Sequence, residues 1–327
     1  MSANKAPEPA VLSLAQLLEQ QPATSAAGWL EPGLLPPQGI LFVGGEPKVG
    51  KSLFVANLAL LLASGKERAG FSAPAIRRVL VCQFELPTLQ FVARLATMRR
   101  ALGTAADHNL LVDTRSMGHL LSAPQGLNHF LVAARTARAE VLVLDPLYSA
   151  HDQDENDTRA MAALCQSLLR LRDAGKLALI VVHHVRKSAG RDEIGRAFRG
   201  SSALHAVGDS YLLLARPSAH LAHAVELRFQ FRYAPPQPAR LLQLDPSTLW
   251  FSAAGPAPAK GAARAKVQPQ DVSKALNALG RHTRYNQLRQ QIMNLTACSK
   301  RTAQVAITEA CRDGVIVQAD GQYRLPL

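Results

Sequence analysis

Residues Gly45-Glu46-Pro47-Lys48-Val49-Gly50-Lys51-Ser52 have the spacing G-x-x-x-x-G-K-[ST]. An apolar run of strand length, ILFVG (40–44), leads into them, and an apolar helical stretch follows. A phosphate-cradling loop needs that setting. Glycines let the main chain curl until successive N–H groups point at phosphate oxygens. The start of the helix adds partial positive charge. Lys51 then reaches the β/γ-phosphates, and the Ser52 hydroxyl ligates Mg²⁺. The expected cofactors are therefore ATP and Mg²⁺. The residues expected to hold them are Gly45, Glu46, Pro47, Lys48, Val49, Gly50, Lys51, Ser52 and Leu53.

Such a loop needs a second metal anchor. The run VLVLD (141–145) ends in Asp145, a carboxylate at the carboxyl edge of a buried strand. We expect it to support the cation together with Ser52; the plainer reading is an aspartate that only starts a turn before Pro146. Hydrolysis also needs a group that orients water. VLVCQF (79–84) delivers Glu85 to a strand tip, where it would act as general base; otherwise it merely precedes the helix that opens at Thr88. His183 and His184 end the run ALIVVHH, where a polar group can report loss of the terminal phosphate. Adjacent strand residues face opposite ways, so only one of them can face the site, and the residue types do not choose between them.

These groups need a sheet to align them. Strand-length apolar runs stand at 40–44, 79–84, 141–145, 178–184 and 210–215. Helical stretches lie between several of them, at Ser52–Ala63, Thr88–Leu102, Gly126–Ala137 and Asn156–Asp173. Continuous apolar strands alternating with helices predict an α/β fold whose mostly parallel sheet is covered on both faces. ELRFQFRY (226–233), ARLLQL (239–244) and TLWFS (248–252) predict an antiparallel region at its end.

The order of phosphate loop, Glu85, Asp145, His183-His184 and then VVHHVRK…FRGSSAL resembles the AAA-type, RecA-like P-loop ATPases of the plasmid RepA hexameric replicative helicase group, relatives of the DnaB helicases. The resemblance covers roughly residues 28–250. It implies a RecA-like P-loop NTPase core that forms a hexameric ring with ATP between subunits. Lys51 and Ser52 would then serve phosphate and Mg²⁺, Glu85 would activate water, Asp145 would support the metal, and His183 or His184 would be the sensor. It also implies an arginine finger from the neighbouring subunit, matched here by Arg228 and Arg232, which lie on one face of a strand; a solvated strand face is the alternative. The loop after the sensor carries Arg186, Lys187, Arg191, Arg196 and Arg199, with Gly190 and Gly195 as hinges. Projecting into a central channel, it would contact single-stranded DNA through the backbone, without sequence preference. Phe198 is its only aromatic residue.

The C-terminal part reads differently. Val272, Leu276 and Leu279 fall at helical spacing within 270–280, a second helix is expected from about Tyr285 to Met293, and Ser299 can cap a third over Lys300–Arg312. VIVQADGQYRL then predicts a hairpin around Asp320-Gly321. Three helices and a two-stranded wing form a winged helix-turn-helix. Lys300, Arg301 and Gln304 on its recognition helix, with Arg324 on the wing, would contact duplex DNA; a protein-docking role is the alternative. The expected organisation is a mobile segment over 1–25 with a short helix around Ser13–Gln20, a RecA-like ATPase domain over 26–252, a linker over 253–268 and the winged helix over 269–327.

Charge supports a nucleic-acid partner. The chain carries +13, and residues 252–327 hold 11 Lys+Arg against 4 Asp+Glu, so this quarter of the chain supplies over half of the excess. The hydrophobic fraction of 48% excludes wholesale disorder, and no apolar run is long enough to cross a bilayer. Four scattered cysteines without a CxxC pair argue against a zinc or disulfide framework, and the N-terminus does not read as a signal peptide, so a cytoplasmic protein is expected. The activity expected is that of an ATP-hydrolysing, DNA-associated motor, most simply a helicase. An ATP-switched DNA-binding regulator and a recombination-type ATPase that does not unwind DNA are the alternatives.

Overall fold

The computed structural model describes residues 11–20, 28–185, 194, 198, 202–217, 221, 223–256, 267–280, 282–296, 298–319 and 321–326. The chain divides into two compact units, with the division falling within 257–266.

The first unit is built on a nine-stranded sheet. Its strands are β1 (Ile40–Gly45), β4 (Val79–Gln83), β5 (Leu110–Asp113), β6 (Val141–Asp145), β7 (Ala178–His184), β8 (Ser210–Ala215), β9 (Ala224–Phe231), β10 (Arg240–Asp245) and β11 (Trp250–Pro256); β2 (Glu67–Arg68) and β3 (Phe71–Ser72) pair separately. The order is β11-β10-β9-β8-β1-β7-β6-β4-β5. The six strands from β8 to β5 are parallel, and β8 to β11 form an antiparallel meander. Strands β1, β4 and β6 are buried throughout, as a sheet covered on both faces demands.

The helices are α1 (Leu14–Gln20), α2 (Lys51–Ser64), α3 (Thr88–Leu102), α4 (Pro124–Ala137), α5 (Thr158–Gly175) and the short α6 (Ser202–Val207). A 3₁₀ turn, Leu147–Ala150, follows β6. Helix α2 is apolar nearly all round and almost wholly buried. Asn57, one of its buried polar residues, is satisfied at both ends. Its Nδ2 donates to Leu249 O at 3.1 Å, and its Oδ1 accepts from Phe251 N at 2.9 Å. The phosphate-loop helix is thereby tied to the start of β11.

Two expectations need correction here. Residues 253–256 belong to β11 rather than to a linker: Ala253 lies opposite Leu242 and Pro256 opposite Arg240. An edge strand has one row of N–H groups without a ladder partner, so Gly255 and Pro256 are tolerated there. At the other end, buried Val267 and the helix cap Gln268 belong to the second unit. Strands β2, β3 and β5 were also not expected. β2 and β3 are two residues each, and the apolar run of β5 is only three residues, Leu110–Val112, and half buried.

The second unit holds α7 (Pro269–Ala278), β12 (His282–Arg284), α8 (Tyr285–Thr296), α9 (Lys300–Arg312), β13 (Val317–Ala319) and β14 (Gln322–Arg324). Its three-stranded antiparallel sheet has the order β12-β14-β13. Val272, Leu276, Leu288, Ile292, Ile307 and Ile316 are among its core residues. Sequence periodicity implied two strands. The third, β12, is three residues long with only Thr283 buried, too short to show alternation.

Candidate active site

Parallel register brings the carboxyl ends of four strands level. Gly44 lies opposite His183 and Gly45 opposite His184, while Gln83 lies opposite Asp145. Ligands of open α/β sheets bind at this edge. Gly45 has no room for a side chain, since a Cβ there would stand 2.5 Å from Leu214 O. Gly50, at the cap of α2, has φ 104°, which favours glycine. No side chain caps the helix, which leaves its first N–H groups available to an anion such as phosphate.

Lys51 is 5% exposed, and its Nζ contacts Gly45 O at 2.9 Å, Glu46 O at 3.0 Å and His184 Nδ1 at 3.2 Å. Desolvation lowers its pKa to about 8, against the pull of the Asp145 and Glu85 carboxylates. The Ser52 hydroxyl donates to Asp145 Oδ1 at 3.0 Å. Burial pushes the Asp145 carboxyl up to about 6, opposed by the Ser52 hydrogen bond, with Glu85 adding to the rise. Two hard oxygen donors side by side, one of them a buried carboxylate whose charge is costly without a cation, fit Mg²⁺.

Glu85 stands exposed beyond the tip of β4. Gln83, which the sequence did not single out, fixes that tip: its Oε1 accepts from Glu85 N and from Leu86 N, each at 2.7 Å. Its Nε2 is buried and has no hydrogen-bond partner among the described residues. Tyr148, also not anticipated, donates its hydroxyl to Glu85 Oε1, and its ring lies 5.1 Å from that of His184. Neither residue belongs to a spaced motif; only the register of β4 with β6 and the turn after Asp145 bring them in.

The histidine pair splits as strand alternation requires. His184 faces Lys51, and burial followed by the Lys51 cation lowers its pKa. His183 does not reach the phosphate loop side chains. It is buried on the other side, near Phe198, and its pKa falls to about 4, chiefly through desolvation. There both His183 Nδ1 and His151 Nε2 stand 4.0 Å from Glu155 Oε1.

The two candidate finger arginines are engaged within the chain. Arg228 makes two 2.7 Å contacts with Glu226 Oε1. Arg232 contacts Asp209 Oδ1 at 3.2 Å and Ala206 O at 2.8 Å. Asp209 Oδ2 accepts from Ile40 N, at the start of β1, so Arg232 lies at the end of the sheet opposite to the phosphate loop. Arg186, Lys187, Arg191, Arg196 and Arg199 fall outside the described residues. In the second unit Lys300, Arg301 and Arg324 are exposed and Gln304 is half-buried. Ser299 caps α9 by accepting from Thr302 N at 3.2 Å.

A family model described as an AAA domain (AAA_25) matches residues 6–190. No curated protein matches the chain by sequence. Among solved structures, one ATPase domain is similar at a TM-score of 0.51 and 13% identity, over 66% of this chain and 85% of that one. A DnaB-like replicative helicase, solved in a study of its interactions with primase, is similar at a TM-score of 0.53 and 14% identity, over 66% of this chain and 57% of that one. These likenesses establish a RecA-like α/β fold for the first unit. No described helix is long and apolar enough to cross a membrane.

Proposed function

Because the chain belongs to the AAA_25 family of AAA domains, we propose that it is an ATP-hydrolysing, DNA-associated motor, working as a ring-forming replicative helicase on single-stranded DNA. The observation that carries the ATPase reading is the convergence of Lys51, Ser52, Asp145, Glu85 and His184 at one end of one sheet. Main-chain amides of the loop and the Lys51 ammonium bind the phosphates. Glu85 accepts the proton of the attacking water. His184, rather than His183, would respond to the terminal phosphate, a reading supported by its contact with Lys51. Ser52 and Asp145 would hold Mg²⁺, which would supply neutralisation of phosphate charge.

The fold of the first unit supports the helicase reading, since a solved DnaB-like replicative helicase shares it. In a ring, Arg232 is the better finger: its side chain is 45% exposed against 15% for Arg228. The basic residues from Arg186 to Arg199 would then meet single-stranded DNA. We read the second unit as a winged helix-turn-helix on the order of its elements, with α9 as recognition helix and Arg324 on the wing, placed to grip duplex DNA. That unit equally favours a second reading, in which ATP switches a DNA-binding regulator.

Phosphate release and strand displacement by the purified chain, with Lys51→Ala as control, separate the two. A motor releases phosphate faster with single-stranded DNA and displaces a strand. Hydrolysis that DNA neither accelerates nor couples to unwinding sinks the motor. A failure to bind magnesium-ATP at all removes both.

A further inference from the structure

Lys51 spends all three ammonium donors inside the chain, on Gly45 O, Glu46 O and His184 Nδ1. A nucleotide phosphate that is to use this ammonium must therefore displace a partner. Two of the partners are carbonyls of the phosphate loop itself. The third, His184, makes the longest contact, at 3.2 Å, and is the only side chain. A phosphate oxygen outcompetes a neutral imidazole nitrogen for an ammonium, because the hydrogen bond it accepts is charge-assisted on both sides.

The His184 ring does not stand alone. It lies against the Tyr148 ring, with centroids 5.1 Å apart, and the Tyr148 hydroxyl donates to Glu85 Oε1. Four side chains thus form one line from the phosphate-binding ammonium to the water-activating carboxylate. The hydrogen bond to Glu85 raises the pKa of the phenol, which keeps the hydroxyl a donor. Tyr148 is 42% exposed and projects from the 3₁₀ turn beyond Asp145, so the core does not need its hydroxyl for packing or for polar satisfaction.

We propose that Tyr148 is a positioning residue: it latches the Glu85 carboxylate, and a nucleotide phosphate that takes Lys51 from His184 opens the latch through the contact between the two rings. While latched, one Glu85 oxygen is occupied by a phenol and does not accept a proton from water. Phosphate arrival shifts His184, the tilted Tyr148 ring in contact with it moves in turn, and the carboxylate turns to the water. The inference rests on the ATPase reading and adds to it a restraint on the general base that the nucleotide itself removes.

If nucleotide binding must break the Tyr148–Glu85 contact, part of the binding energy is spent on breaking it. The affinity of the full-length chain for magnesium with a non-hydrolysable ATP analogue then reads the latch directly. Tyr148→Phe keeps the ring against His184 and deletes only the hydroxyl. It should tighten binding about three- to tenfold, the worth of one hydrogen bond. In a Glu85→Ala background, where the hydroxyl has no carboxylate to hold, the same change should do nothing. Equal or weaker binding by Tyr148→Phe overturns the latch, as does tightening that persists without the Glu85 carboxylate. A merely structural tyrosine would weaken binding in both backgrounds. Wild-type protein that binds no nucleotide overturns the ATPase reading, a result distinct from wild type and variant binding equally well.

Discussion

The phosphate loop and helix α9 are both read as phosphate grips, yet they are built on opposite physics. At the loop, a buried ammonium and a buried carboxylate sit within one small network, and burial drives the first down to about 8 and the second up to about 6. On α9, Lys300 and Arg301 stand exposed in the first turn. Buried charges cost free energy until a ligand complements them, so they discriminate sharply. Exposed charges cost little, are screened by salt, and attract any polyanion. The loop is thus equipped for one small ligand in one pose, whereas the helix suits a long polymer whose backbone repeats.

The sharpest test of this contrast is the general base. Glu85→Gln should lower kcat by about 10²–10⁴-fold while leaving binding of a non-hydrolysable analogue measurable, because it removes proton acceptance and no phosphate contact. Single-turnover phosphate release checks it. A variant as fast as wild type would mean that Glu85 only starts α3, and the electrostatic contrast would lose its catalytic meaning.

A smaller effect lies in the pH dependence of stability. The Asp145 carboxyl titrates near 6 in the folded chain and near 3.8 when unfolded. Between those values the folded chain holds a proton that the unfolded chain has released, so stability falls as pH rises through this window, and the cost is complete at pH 7. Asp145→Asn should therefore raise the thermal midpoint of the ligand-free protein at pH 7 and leave it nearly unchanged near pH 4. The gain is reduced because Lys51 loses an attractive neighbour. For Lys51 the sign is opposite: the cost of its charge is full below about 8 and fades as pH rises towards 10.5. Magnesium-nucleotide binding needs Lys51 charged and Asp145 ionised, so it should be tightest between about 6 and about 8. Thermal scans of the two proteins across pH decide the matter; a midpoint difference that ignores pH would show that Asp145 is not held against its charge.

The exposed grip should show a different signature. If α9 meets DNA as proposed, replacing Lys300 and Arg301 together by alanine would remove two phosphate contacts. It should flatten the slope of log affinity against log salt by about 1.8 and weaken duplex binding on the order of tenfold at moderate salt. Nucleotide affinity, by contrast, should move little over the same salt range. If the slope is unchanged by the double substitution, α9 does not meet the DNA backbone.

How much of this was legible beforehand follows the same divide. The phosphate loop, Asp145 and Glu85 were readable because chemistry fixes residue type and spacing over a few positions, and apolar runs showed which strands carry them. Which histidine faces the loop was not readable, because it depends on the register of β7 against β1. Gln83 and Tyr148 were missed for a related reason: they reach Glu85 from two residues back and from a neighbouring turn, contacts that no local pattern encodes. Helix α9 was readable to the residue because Ser299 announces its start. Strands β5 and β12 were not, since neither is long enough to alternate.

Ser299 offers the smallest effect and the cleanest separation of fold from grip. Its Oγ accepts from Thr302 N at 3.2 Å and lies 2.8 Å from Thr302 Oγ1. No acidic residue stands in the first turn of α9; Lys300 and Arg301 stand there instead, against the positive end of the helix dipole. The cap is therefore the chief local support of that helix start. Ser299→Ala should cost the second unit about 1 kcal/mol, read by amide exchange along α9, and leave the salt slope of DNA binding intact. The Lys300/Arg301 double variant should do the reverse, keeping or slightly raising protection along α9 while the salt slope drops. If both variants instead lose protection and salt slope together, the exposed lysine and arginine hold the helix rather than the polymer, and α9 belongs with the packed parts of the molecule.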